Sequence, residues 1–273
     1  MPTPVEPTDP VSVPPVAGPA SGPADPAARP SAPVPAARAS VVGVESDPAG
    51  GTGRGAGVVD APAGAVVDLL GMVAYGELLA FERMAADARL APDLSRRAVL
   101  SEMAAVEIKN YRRLAGRLTE LGVSPGDAMS PFVPALGSYH DSTEPRDWLE
   151  ALTKAYVGDG IADDFFRETA AFLGAPDRQL VLDVLHDSQY DDFAGEEIRL
   201  AIEADPKVAN RLSIWARRLV GEGLSQANRV AGERVALTTL IVTGFGDQAG
   251  VQTLFKRLTV AHTARMSAVG LNN

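Results

Sequence analysis

Residues 66–90, VVDLLGMVAYGELLAFERMAADARL, carry the pattern that decides the fold. Apolar side chains recur there every three or four positions, which predicts an amphipathic helix that ends before Pro92. One stripe of this helix contains Leu70, Val73, Glu77, Phe81, Met84 and Ala88. Glu77 is the exception in the stripe, because a carboxylate on a buried helix face needs a counter-charge or a proton.

Three further predicted helices repeat this feature, each with one acid on an apolar stripe. We expect them over about 93–122, 146–173 and 177–204. Their acids are, in order, Glu107, Asp159 and Asp187. With antiparallel neighbours in each helical hairpin, the spacing puts all four acids at similar heights. The sequence therefore predicts a shared bundle interior in which four carboxylates require a cation or protons.

The remaining segments complete an all-α prediction. Residues 123–145 are rich in proline and glycine, which favours a long crossover loop between two helical hairpins. Two additional C-terminal helices are expected over about 207–240 and 248–268. No stretch alternates with period two for long enough to indicate a sheet.

The first 64 residues differ in composition from the rest. They hold most of the chain's 21 prolines and no aromatic residue, so we expect a disordered leader over 1–64 and one folded domain over 65–271. An inert leader is the first interpretation, and a tether or targeting arm is the alternative.

Charge and composition exclude several classes of function. The chain has no cysteine, which rules out disulfides and thiolate sites, and its net charge of -10 disfavours nucleic acid and anionic lipid as partners. The basic strip of Lys109, Arg113 and Arg117 is interpreted as a helix face paired with nearby acids. The sequence shows neither a secretory signal nor an apolar run of about 20 residues, so we predict a cytoplasmic location.

The acids suggest metal chemistry, but two motif positions are unusual. Bundle dimetal sites take one acid from each of two helices and an acid with histidine at i+3 from each of the other two. In this chain Asn110 follows Glu107 by three residues, and Tyr190 follows Asp187 by three. Glycines flank Asp159, which would allow a bulge or a close backbone approach.

Several stretches resemble bacterial ferritin-like proteins related to the methylthio-isopentenyladenosine tRNA hydroxylases. The similarity covers about 62–271, and its most specific pieces are 66–71, 74–78, 148–150, 154–159 and 215–219. The resemblance implies a ferritin-like four-helix bundle with two metal ions, iron or manganese, that activates dioxygen for hydroxylation. It also implies that the four acids are metal ligands, with Asn110 and Tyr190 where the family has histidine.

Both replacements weaken metal binding, because an amide oxygen is a poor ligand and a phenol binds well only when deprotonated. Three functions stay open: a ferritin-like protein with a degraded or altered metal site, an active diiron oxidase or hydroxylase with Tyr190 as a redox neighbour, and a metal-free structural or interaction bundle. A small molecule or modified nucleoside is the expected substrate of an active form, and a homodimer is the expected assembly.

Overall fold

The structure is a computed structural model that describes residues 61–185 and 188–272. The described residues contain helices and no strand, so the all-α prediction is confirmed. The predicted leader, 1–64, lies almost entirely outside the described residues. The α-helices are α1 (Ala63–Asp87), α2 (Leu94–Glu120), α3 (Pro125–Met129), α4 (Val133–Ser142), α5 (Trp148–Thr153), α6 (Gly160–Ala170), α7 (Ala175–Val184), α8 (Ser188–Ala204), α9 (Lys207–Glu233), α10 (Val235–Gly244) and α11 (Gln248–Ala268).

The first two helices form the hairpin that the sequence predicts. Asp93 caps α2 by accepting a hydrogen bond from the backbone N–H of Arg96 at 2.9 Å. Gly122 follows the C-terminus with φ of 78°, a left-handed conformation that favours glycine. The hairpin therefore begins and ends close to the predicted positions.

The prediction of a long loop over 123–145 is wrong. This segment contains α3, a 3₁₀ turn over Ser130–Phe132, and α4. Pro125, Pro131 and Pro134 lie within the first two positions of these elements, where a missing N–H costs no helical hydrogen bond, and Pro145 lies in the connection before α5. Phe132 is fully buried, so the crossover is packed against the bundle.

Three of the predicted long helices are interrupted. The third contains a π-helical segment, Lys154–Asp159, between α5 and α6. The fourth stops at Val184, after which Leu185 is extended, and the chain resumes as α8. The fifth breaks at Arg234, so three helices rather than two follow α8.

The interior consists of two apolar clusters that share α1 and α2. The first contains Leu70 of α1 and Leu114 of α2. The second contains Met84 of α1 and Leu100 of α2, together with side chains of α5, α8 and α9. Along both helices the junction between the clusters holds a buried acid, Glu77 in one and Glu107 in the other.

The first helix also passes a simple test for membrane spanning. By length and composition alone, the stretch Ala63–Leu90 is long and apolar enough to cross a bilayer, in contrast to the prediction that no apolar run reaches about 20 residues. However, 61% of its most apolar window is buried within the protein. Burial of this extent is typical of a core helix, which α1 is in this bundle.

Candidate functional site

Among the predicted ligands whose side chains the structure describes, Glu77 and Glu107 are the most deeply buried. Their relative exposures are 6% and 4%, on two helices that pack directly against each other. Carboxylates at this depth require protons, hydrogen-bond donors or a nearby positive charge. Among the described features, the burial of these two acids agrees best with the predicted metal centre.

Asp159 is held by an arginine of α1. Nη2 of Arg83 donates to both carboxylate oxygens of Asp159, at 3.2 and 3.1 Å. The two side chains are only 11% and 16% exposed. A guanidinium in this position neutralises the carboxylate and uses its oxygens as hydrogen-bond acceptors.

The same arginine contacts an imidazole on the packed crossover. Nη1 of Arg83 donates to Nδ1 of His140 in α4 at 2.6 Å. Burial, reinforced by the charges of Arg83 and Lys154, lowers the pKa of His140 to about 2. His140 is therefore neutral at physiological pH, and its Nδ1 accepts a hydrogen bond from Arg83.

Asn110 serves a structural contact in the described part of the chain. Its Nδ2 donates to the carbonyl of Val184 at 3.1 Å, and Nη1 of Arg113 donates to the carbonyl of Asp183 at 3.3 Å. These bonds satisfy the last carbonyls of α7, at a point where the sequence pattern predicts a continuous helix. Asp187 lies outside the described residues, and Tyr190 belongs to α8.

The described residues do not fit a dimetal centre as they stand. Within 61–185 and 188–272, no three aspartate, glutamate or histidine side chains are grouped so that they could hold a metal ion. Arg83 supplies a positive charge at Asp159, where the resemblance calls for a metal ion. The interpretation of the basic strip is confirmed for Arg113 and Arg117, which pair with Asp183 and Asp177.

The glycines beside Asp159 give room to protein side chains. A Cβ on Gly158 would lie 2.6 Å from the hydroxyl oxygen of Tyr139, and one on Gly160 would lie 2.5 Å from Nε of Arg265. Burial raises the pKa of Tyr139, and the charge of Asp159 adds to this effect. At both glycines the atoms that approach the backbone closely belong to side chains of the protein, Tyr139 and Arg265.

Gly158→Ala is expected to lower the free energy of unfolding by about 1–3 kcal/mol, because Tyr139 must move away from the new methyl group. Gly76→Ala is the matched control in α1, since its Cβ would meet nothing within 4 Å. That control should gain about 0.5–1 kcal/mol from helix propensity. Urea unfolding followed by circular dichroism measures both, and equal effects of the two substitutions would contradict the contact at Gly158.

Lys154 is the residue of this region that sequence reasoning missed. It begins the π-helical segment, is 1% exposed, and donates from Nζ to the carbonyl of Thr143 at 2.7 Å. Its position among the apolar residues of 148–157 was the available signal, because a lysine inside such a run has no obvious route to water. Arg83, Tyr139, His140, Lys154 and Asp159 are called the polar cluster below.

Comparisons with known proteins agree with this architecture. A solved protein from Synechococcus with aldehyde deformylating oxidase activity has a TM-score of 0.59 and 20% sequence identity to this chain. The match covers 78% of this chain and 93% of that one, and at this identity it shows the fold alone. A search of curated proteins gives no significant match. The model of a family described as "Ferritin-like domain, actinomycetes" matches residues 62–244. The chain therefore belongs to this ferritin-like domain family of actinomycetes.

Proposed function

We propose that this chain is a ferritin-like protein in which an internal arginine has replaced the metal centre. The observation that carries the proposal is the contact of Arg83 with both carboxylate oxygens of Asp159. A dimetal site needs those oxygens as ligands, whereas the guanidinium provides the compensating charge without a metal. In this form the protein is a metal-free structural or interaction bundle.

Two neighbouring contacts support the same interpretation. Asn110 stands at a position where the related hydroxylases have histidine, and its amide binds the end of α7. His140 carries no charge and accepts a hydrogen bond from Arg83, so Arg83 has a second acceptor that adds no charge to the interior. His140 therefore stabilises the position of Arg83, and Asn110 stabilises the end of α7.

The relation to methylthio-isopentenyladenosine tRNA hydroxylases is part of the proposal. We infer descent from such a dimetal hydroxylase, with a cytoplasmic location and a homodimeric assembly as further expectations. The acidic charge of the chain disfavours direct binding of RNA, so a nucleoside or another small molecule is the substrate class of any active form.

An active diiron oxidase or hydroxylase is the second candidate. The deep burial of Glu77 and Glu107 on adjacent helices favours it, because two bundle carboxylates are retained at the expected positions. In that case Arg83 would have to leave Asp159, and Asp187 and Tyr190 would complete the site with iron or manganese.

Metal content distinguishes the two candidates. Protein expressed with added iron and manganese is expected to contain almost no bound metal, because Arg83 holds Asp159. Asn110→His with Tyr190→His should remain nearly metal-free, and adding Arg83→Met to that pair should raise metal uptake. Elemental analysis of folded, desalted protein gives the stoichiometry. About two metal ions per wild-type chain would establish the second candidate and overturn the first.

A further inference from the structure

A groove that opens to solvent lies between α6 and α11. Its volume is about 140 Å³, and its lining residues are Asp164, Arg167 and Glu168 of α6 with Arg257, Leu258 and Ala261 of α11. A cavity that holds one water molecule needs about 10–15 Å³, so the groove has room for a molecule of several non-hydrogen atoms. It shares no residue with the polar cluster, so what binds there does not depend on the proposed function.

Helical spacing brings the lining residues of each helix onto one face. On α6, Asp164 precedes Arg167 and Glu168 by three and four positions, so all three share a face. On α11, Arg257 and Ala261 are four positions apart and likewise share a face. Because the side chain of Ala261 is a single methyl group, it leaves space in the groove that a longer side chain would fill.

Guanidinium groups outnumber carboxylates around the groove. Asp164 accepts a hydrogen bond from Nη1 of Arg167 at 3.3 Å and another from Nη2 of Arg265 at 2.8 Å. Glu168 pairs with Nη2 of Arg257 at 2.9 Å. Three guanidinium groups therefore share two carboxylates, which leaves one positive charge in excess. A ligand with a single negative charge balances this excess.

The two arginines that line the groove retain donors for such a ligand. Each guanidinium has five N–H groups, and the ion pairs of Arg167 and Arg257 use one nitrogen of each. Their side chains are 52% and 51% exposed, so solutes reach them. The guanidinium carbon of Arg257 lies 5.7 Å from the ring centroid of Phe245, which restricts its position. A guanidinium held in this way can bind a carboxylate through two parallel hydrogen bonds.

The groove also offers apolar surface to a ligand. Leu258 and Ala261 line it from α11, and the long side chains of Arg167 and Arg257 add methylene groups beside their charged ends. Inorganic phosphate has no carbon atoms that could use this surface. A short carboxylic acid has both an anionic group for the arginines and a carbon chain for the apolar residues.

We propose that the groove between α6 and α11 binds carboxylates of about three to six carbons. The carboxylate group accepts hydrogen bonds from Arg257 and Arg167, and the carbon chain lies against Leu258 and Ala261. The ligand carries the one negative charge that the groove lacks, and the ion pairs of Asp164 and Glu168 stay in place.

An NMR titration of the full-length chain with butyrate tests this proposal. Protein labelled with ¹⁵N receives sodium butyrate up to about 50 mM at pH 7, and sodium chloride keeps the ionic strength constant. We expect saturable shifts of the Nε–H signal of Arg257 and of the amide signals of 258–261. The dissociation constant should be about 1–10 mM, because a ligand with so few atoms gains little binding energy. Butyramide has the same shape without the charge and should give no saturable shift.

Two variants test whether butyrate binds in the groove. Arg257→Met should weaken butyrate binding at least about fivefold, because it removes charge-assisted hydrogen bonds. Ala261→Leu keeps every charge but fills the groove, so the shifts should disappear. The matched controls are Arg229→Met and Ala264→Leu, since Arg229 pairs with Glu233 at similar exposure and Ala264 is exposed on α11. Both controls should bind butyrate as the wild type does.

Inorganic phosphate separates a carboxylate site from an unspecific anion site. Phosphate that shifts the same signals with equal or higher affinity would overturn the proposal, as would the absence of saturable shifts with butyrate. Butyrate binding that either Arg257→Met or Ala261→Leu leaves unchanged would also overturn it. Binding that is weakened in Arg257→Met, lost in Ala261→Leu and retained in both controls would establish it.

Discussion

Arg83→Met is expected to lower the free energy of unfolding by about 3–5 kcal/mol, the loss typical of breaking a buried ion pair by removing one of its members. The substitution removes the guanidinium from Asp159 and the donor from His140, while both acceptors stay inside the protein. The side chains of Arg83 and Asp159 are only 11% and 16% exposed, so water compensates little. Urea unfolding at pH 7, followed by circular dichroism, measures the change.

The chain offers two matched controls for this substitution. Arg113→Met breaks an exposed pair with Asp183, where the side chains are 44% and 42% exposed, and should cost less than about 1 kcal/mol. Arg83→Met combined with Asp159→Leu should recover much of the loss, because both charges of the buried ion pair are then removed. A loss for Arg83→Met no larger than that for Arg113→Met would contradict a buried ion pair.

The pH dependence of stability is the second large expected effect. The pKa of Lys154 is about 7 in the folded protein, whereas an unfolded lysine titrates near 10.4. Between pH 7 and 9.5 the unfolded chain keeps a proton that folded Lys154 has released, so stability should rise with pH. The contribution is at most about 1.4 kcal/mol per pH unit, and roughly 2–3 kcal/mol over this window.

Lys154→Met isolates this contribution. The free energy of unfolding of this variant should not rise between pH 7 and 9.5, and at pH 7 the variant should be more stable than wild type. Lys109→Met, at an exposed position, should retain the rise in the free energy of unfolding. The window ends at 9.5, because above it unfolded tyrosines ionise while burial keeps Tyr139 protonated, which opposes the lysine effect. Urea unfolding at four pH values provides the data. A wild-type profile that is flat or falls over this range would contradict the neutral buried amine.

Local pattern made most of the helical fold predictable. The stripes of α1 and α2 gave both helices and both buried acids, because burial follows the 3.6-residue period wherever one face packs inward. The prediction of a loop at the crossover is wrong because proline also favours the first turn of a helix, which Pro125 and Pro134 occupy. Proline content alone does not separate a loop from a series of short helices.

The parts that could not be predicted depend on contacts distant in sequence. The break after Val184 has no glycine or proline at its end, and Asn110 and Arg113 of α2 bind the terminal carbonyls there. The pairing of Arg83 with Asp159 joins residues 76 positions apart, and no periodicity assigns a partner to an arginine at the edge of an apolar stripe. Composition and spacing therefore identify candidate acids. They do not show which acid is paired with a positively charged side chain of the protein.

A crystal structure of the wild-type protein soaked anaerobically with Fe²⁺, with anomalous data collected at the iron edge, tests the replacement of the metal most directly. The expected result is continuous density for the Arg83 guanidinium on both oxygens of Asp159, with no anomalous peak between α1 and α2. An anomalous peak bonded to Glu77, Glu107 and Asp159, with Arg83 displaced, would contradict it.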